Sequence, residues 1–122
     1  MGTSEFYRVI ESFPEVADSL VVDTGRLGQE GKLVLFVQLT AATLDDDLVK
    51  RIAAALRRQL SPRHVPDEIH VVPGVPMTLS GKKLEIPVRK ILLGTPVSEA
   101  ADPSALANPE VLSSYAAHGS RL

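Results

Sequence analysis

The sequence predicts an α+β fold: a small sheet of about three main strands flanked by helices, then a C-terminal linker and helix extension. Three observations carry this. Apolar residues recur at helical spacing in two separate segments. Short runs rich in Val, Leu and Ile, bounded by Gly, Pro and charged residues, lie between and after them. The order that results is helix, two strands, helix, strand, loop, helix, which packs helices on a short sheet.

Residues 3–13 form the first helix. Phe6, Val9, Ile10 and Phe13 fall on one stripe, Thr3 is its N-cap, and Pro14 ends it by disfavouring helical geometry at the residue before it. Residues 17–23 and 32–39 are β-rich, and Gly25, Gly28 and Gly31 between them make a hairpin with a longer loop the simplest connection. The second run is apolar on both faces, as in a central strand covered from both sides. Residues 44–60 form a helix capped by Thr43. Asp45, Asp46 and Asp47 lie at its positive end, Arg57 and Arg58 at its negative end, and Leu48, Val49, Ile52, Leu56 and Leu60 along its buried face. Ser61-Pro62 stops it, and residues 68–72 give a further strand.

Residues 73–82 are rich in Pro and Gly and read as an irregular loop. A short helix then starts with Pro87 at its first position and ends before Gly94. From Thr95 the composition shifts to Ala, Pro, Ser and Asp, so residues 1–94 are one domain and 95–122 an extension of linker plus short helix. Asn108-Pro109-Glu110 starts that helix, with Val111, Leu112 and Tyr115 on one face. Two readings stand for it: a frayed tail, or an amphipathic helix that docks on a partner surface.

With 122 residues, 44% of them hydrophobic and 23% charged, the chain has the composition of a soluble globular domain. A net charge of −2 argues against nucleic acid as a partner. No apolar run approaches a membrane span, and the N-terminus lacks the basic-then-apolar pattern of a signal peptide. The absence of Cys excludes disulfides and thiolate chemistry and fits a cytoplasmic location. His64, His70 and His118 show no metal-ligand spacing, so no metal site is expected.

The stretch Pro76-Met77-Thr78-Leu79-Ser80-Gly81-Lys82 is the most informative. Taken alone, Ser-Gly-Lys describes a polar turn with an exposed lysine. It is not a P-loop: that motif needs a Gly where Pro76 stands and a Ser or Thr where Lys83 stands. In context the stretch resembles the last motif of the adenylate-forming acyl-CoA synthetases, a Pro-x-Thr-x-Ser-Gly-Lys loop after a strand and before a short helix. Pro76, Thr78, Ser80, Gly81 and Lys82 supply its fixed positions. The opening Gly2-Thr3-Ser4-Glu5-Phe6-Tyr7 and the Pro66-Asp67-Glu68-Ile69 stretch are similar to the same family's small C-terminal domain, and the resemblance covers residues 2–94. Most members follow the lysine with an apolar residue and soon an Arg. Here Lys83-Leu84-Glu85 follows instead, which with the Asn-Pro-Glu extension is similar to the acetoacetyl-CoA synthetase branch.

The resemblance implies an ATP-dependent acid–CoA ligase. Its cosubstrates are ATP, with Mg2+, and CoA, bound mainly by or with an N-terminal adenylation domain that is this domain's partner. It makes Lys82 the cation for acyl-adenylate formation, supported by Pro76, Thr78, Ser80 and Gly81. A lysine with an ordinary pKa of about 10.4 stays charged at neutral pH, and its flexible stem delivers a point charge. Lys83 is read as a solvated neighbour. In acetyl-CoA synthetases an arginine meets the CoA nucleotide phosphate; counting back 25 residues from Lys82 reaches Arg57, for which helix-end complementation is an equal reading. Some acyl-CoA synthetases are switched off by acetylation of this lysine, which implies an acetyltransferase and a deacetylase acting on Lys82. The fragment alone is expected to lack ligase activity. The alternative is a stand-alone α+β protein-interaction module without catalysis.

Overall fold

The computed structural model describes residues 3–24, 32–40 and 44–119. Strands β1 (Val16–Asp23), β2 (Leu33–Leu39) and β3 (Glu68–Val71) form a three-stranded sheet in that order. β1 pairs antiparallel with β2, aligning Leu20 with Phe36, and β2 pairs parallel with β3, aligning Leu35 with Ile69. A parallel pair needs a crossover, and helix α2 (Asp46–Gln59) supplies it.

Val34, Leu35, Phe36 and Val37 of β2 are all 0% exposed, so the strand is buried on both faces as its sequence predicts. Alternation along the strand splits the core in two. Leu35 and Val37 join Val21 and face α1 (Thr3–Ile10) and α2, meeting Phe6, Ile10, Leu48, Ile52 and Leu56. Val34 and Phe36 join Leu20 and Val22 on the other face, beneath α3 (Glu85–Leu92) and α5 (Leu112–Gly119).

Several boundaries differ from the sequence reading. Helix α1 ends at Ile10 rather than residue 13. The Ser12 hydroxyl donates to the Val9 carbonyl at 2.6 Å, and the amides of Ser12 and Phe13 bond three residues back, which closes the helix with a tight turn ahead of Pro14. Thr3 is the first helical residue, not a cap preceding it. The N-cap of α2 is Asp45, whose carboxylate accepts the Leu48 amide at 2.8 Å; Thr43 lies outside the described residues. An aspartate both caps and places negative charge at the positive helix end. Helix α3 starts at Glu85, so Pro87 is its third residue, still within the first turn where amides have no helical partner. The hairpin loop through Gly25, Gly28 and Gly31 also lies outside the described residues.

The largest difference concerns residues 95–119. They are not a loose linker. Helix α4 (Val97–Ala100) and two 3-10 turns lead into α5, and Ala100, Leu106, Leu112 and Tyr115 are buried in the same cluster as Leu20 and Phe36. Tyr115 is 0% exposed, its ring lies 4.7 Å from that of Phe36, and its hydroxyl donates to the Gly74 carbonyl at 2.8 Å. The helix docks on its own sheet. At Gly74 a Cβ would stand 3.0 Å from Val111 Cγ1, a contact tight enough that the Val111 side chain would have to give way by a few tenths of an ångström.

Because the extension shares the core, Leu112→Ala should cost about 2–5 kcal/mol, while the exposed neighbour change Ser113→Ala stays within about 0.5 kcal/mol. Urea unfolding followed by circular dichroism measures both.

Candidate functional site

Residues 73–82, expected to be irregular, close instead into a small hairpin between β3 and α3. Met77 bridges Lys83 antiparallel. The Thr78 amide donates to the Lys82 carbonyl at 2.9 Å, the Gly81 amide to the Thr78 carbonyl at 2.9 Å, and the Leu84 amide to the Pro76 carbonyl at 3.1 Å. Gly81 takes a φ of +87°. A turn closed by a positive-φ glycine is a common three-residue hairpin connection. Open space surrounds the position where its Cβ would stand, so the glycine is needed for its backbone conformation and not for room. The Thr78 hydroxyl bonds the Ser80 hydroxyl at 2.9 Å and accepts the Lys82 amide at 3.1 Å, which ties the turn internally.

The outgoing arm is braced by the extension. Thr78 bridges Leu106, the Leu79 amide donates to the Ala105 carbonyl at 3.2 Å, and the Ala107 amide to the Met77 carbonyl at 3.0 Å. Asn108, at the N-cap of the turn that leads into α5, spends its side chain on this arm. It accepts the Met77 amide at 3.0 Å and donates to the Val75 carbonyl at 2.8 Å.

Lys82 is exposed at the end of this braced turn, and among the described residues no carboxylate pairs with it. Lys83 is not a solvated neighbour. Its side chain is 19% exposed, and its ammonium pairs with Glu11 and with Asp18 at 3.2 Å, donates to the Ser19 carbonyl at 2.6 Å and lies 3.7 Å from the centre of the Tyr7 ring. Those partners are themselves held: the Ser19 hydroxyl donates to Glu11 at 2.6 Å and the Ser19 amide to Asp18 at 2.9 Å. Tyr7 donates to Glu85 and accepts the Val21 amide at 3.1 Å. Burial first, and then the Glu85 carboxylate, push the Tyr7 phenol well above its ordinary value, which keeps its proton in place. Glu85 thus stands in a structural bond at the start of α3. Nothing in the sequence marks this cluster beyond Ser19, a polar residue inside an apolar strand; Glu11 and Lys83 are 72 residues apart.

Arg57 is exposed in the last turn of α2. That helix packs on the sheet face opposite the one beneath α3, so Arg57 and the Lys82 hairpin belong to different layers. A groove of about 280 Å³ runs between β1 and α3, lined by Val21, Val22, Asp23, Leu33, Glu85, Ile86 and Arg89; Lys82 does not line it. Among the described residues no group of three His, Cys, Asp or Glu side chains could hold a metal, and no helix is long and apolar enough to cross a membrane.

The two-faced three-stranded sheet has its counterpart among known enzymes: residues 8–82 match the model of the AMP-binding enzyme C-terminal domain. The chain belongs to that family. Within it, the chain is 43% identical over 115 residues to the acetoacetyl-CoA synthetases of Macaca fascicularis and of Mus musculus, covering 93% of this chain and 17% of each relative. The solved acetoacetyl-CoA synthetase from Streptomyces lividans superposes with a TM-score of 0.88 at 42% identity, over 99% of this chain and 18% of that one. An acyl-CoA synthetase of Brucella canis superposes at 0.59 with 25% identity over 68% of this chain and 16% of that one. The chain therefore spans about a sixth of the length of these relatives.

Gly81→Ala should lower stability by about 1 kcal/mol or more, because the new residue is strained at positive φ. The loss appears as a lower urea midpoint with an unchanged slope.

Proposed function

We propose that this chain is the mobile C-terminal domain, residues 1–94 with the extension 95–122, of an ATP-dependent acid–CoA ligase acting on acetoacetate. The observation that carries the reading is the exposed ammonium of Lys82 at the end of a turn braced from several sides. In the first half-reaction a carboxylate oxygen attacks the α-phosphorus of ATP and pyrophosphate leaves. Two anions meet, and charge grows on the α-phosphoryl oxygens, where a fixed cation is worth most. Lys82 supplies it when the domain closes on an adenylation domain that binds ATP and its Mg2+. In the second half-reaction the CoA sulfur attacks the acyl carbon, AMP leaves and the thiol proton is released. The domain rotates between the steps, so that a face other than the hairpin lines the CoA path.

The placement of Arg57 on the opposite layer supports a role in that second arrangement, as a partner for a CoA phosphate. The exposure of Lys82 also supports regulation by an acetyltransferase and a deacetylase, since acetylation removes the charge. One half of the site is supplied here, so the isolated chain forms no acyl-adenylate.

In the intact enzyme, Lys82→Ala should slow adenylation on the order of a hundredfold or more while sparing thioester formation from preformed acetoacetyl-adenylate. Pyrophosphate release and thioester formation, followed separately, decide the matter; equal loss of both would sink the assignment. Arg57→Ala should raise the KM for CoA roughly tenfold and leave pyrophosphate release unchanged, and steady-state kinetics with CoA varied measure this.

A further inference from the structure

We propose that Lys83 is a positioning residue: by anchoring the return arm of the hairpin to the free edge of β1, it fixes the direction in which Lys82 points. The inference rests on the reading of Lys82 as the adenylation cation.

Adjacent residues in an extended arm point to opposite sides. The arm 82–84 is extended, since Met77 bridges Lys83 and the amides of Thr78 and Leu84 close the ladder. An inward Lys83 therefore forces an outward Lys82. The anchor on Lys83 is unusually complete. A lysine ammonium has three protons to donate; here Glu11 and the Ser19 carbonyl accept hydrogen bonds, Asp18 pairs with the charge at 3.2 Å, and the Tyr7 ring covers a further side.

The receiving surface is itself hydrogen-bonded throughout. Ser19 faces away from β2 at the sheet edge, where a strand otherwise offers unpaired backbone groups. Its amide goes to Asp18 and its carbonyl to Lys83, while the Val21 amide goes to Tyr7. Tyr7 continues to Glu85 at the start of α3, so the arm, the helix after it, β1 and α1 are joined through one polar cluster. The extension holds the other arm, through Ala105, Leu106, Ala107 and Asn108. Lys83 is the side chain that ties the return arm to β1.

Two enzymes test this: Lys83→Met, and Glu11→Gln/Asp18→Asn/Lys83→Met, which removes the anchor without leaving unpaired carboxylates. In each, the kcat for adenylation should fall on the order of ten- to a hundredfold, as expected for a misdirected group, with thioester formation from preformed acyl-adenylate within about twofold of wild type. In the 122-residue chain carrying the triple change, the Lys82 and Leu84 amides should exchange with solvent about tenfold faster, the signature of local opening. Wild-type adenylation by the folded triple variant overturns the proposal. Equal loss of both half-reactions, or failure of both variants to fold, overturns it too and leaves the cluster a stability element. Lys82→Ala is assayed alongside. If that enzyme adenylates normally, the reading of Lys82 fails, while the hydrogen-exchange result still judges the anchor on its own.

Discussion

The absence of a polar face on β2 is the constraint from which the rest of the architecture follows. Four consecutive side chains, Val34 to Val37, are withdrawn from water. Alternation sends them to two sides, so two separate layers are needed to cover them. One is built from α1 and α2. The other would be thin if it held α3 alone, and the C-terminal residues complete it with Leu106, Leu112 and Tyr115. The extension is thus core material. It brings with it the backbone of residues 105–107, which lies along the hairpin and braces the turn that presents Lys82.

The two sheet edges are treated differently. β3 is short and runs parallel to β2, a pairing made possible by α2. The outer edge of β1 is closed by side chains: Tyr7 takes an amide and Lys83 takes a carbonyl. Protection of an edge against unwanted pairing and anchorage of the hairpin are here the same set of bonds. That double use explains how two carboxylates, a buried serine and a half-buried lysine come to share a small space: each group there satisfies another.

Much of this was legible in the residues. The strands announced themselves through Val-rich runs between glycines and prolines, and the apolar stripe of α2 through Leu48, Ile52 and Leu56, because those patterns are local. The motif around Lys82 was legible for the same reason. What escaped was non-local or competitive. Thr43 and Asp45 are both good caps, and only the structure shows Asp45 in use. The Ala- and Pro-rich stretch after Thr95 has linker composition, yet its few apolar residues are those that finish a core. Asn108 stands at a helix start but turns its amide to the hairpin. Lys82 and Lys83 are chemically identical neighbours; what separates them is Glu11 and Asp18, brought near by the packing of α1 and β1.

The clamp on the hairpin has a consequence in time. Chains are synthesised N-terminus first, and domains tend to fold in that order. The three strands themselves and the α1–α2 layer are made of residues that precede Val72, whereas the outgoing arm of the hairpin relies on residues 105–108 and, through Gly74, on Tyr115. During synthesis the Ser-Gly-Lys turn exists for an interval without its brace. The turn that carries Lys82 therefore gains its brace only when residues 105–108 and Tyr115 are in place, and because Tyr115 also covers Phe36, a defect around it reaches the hairpin and the sheet together.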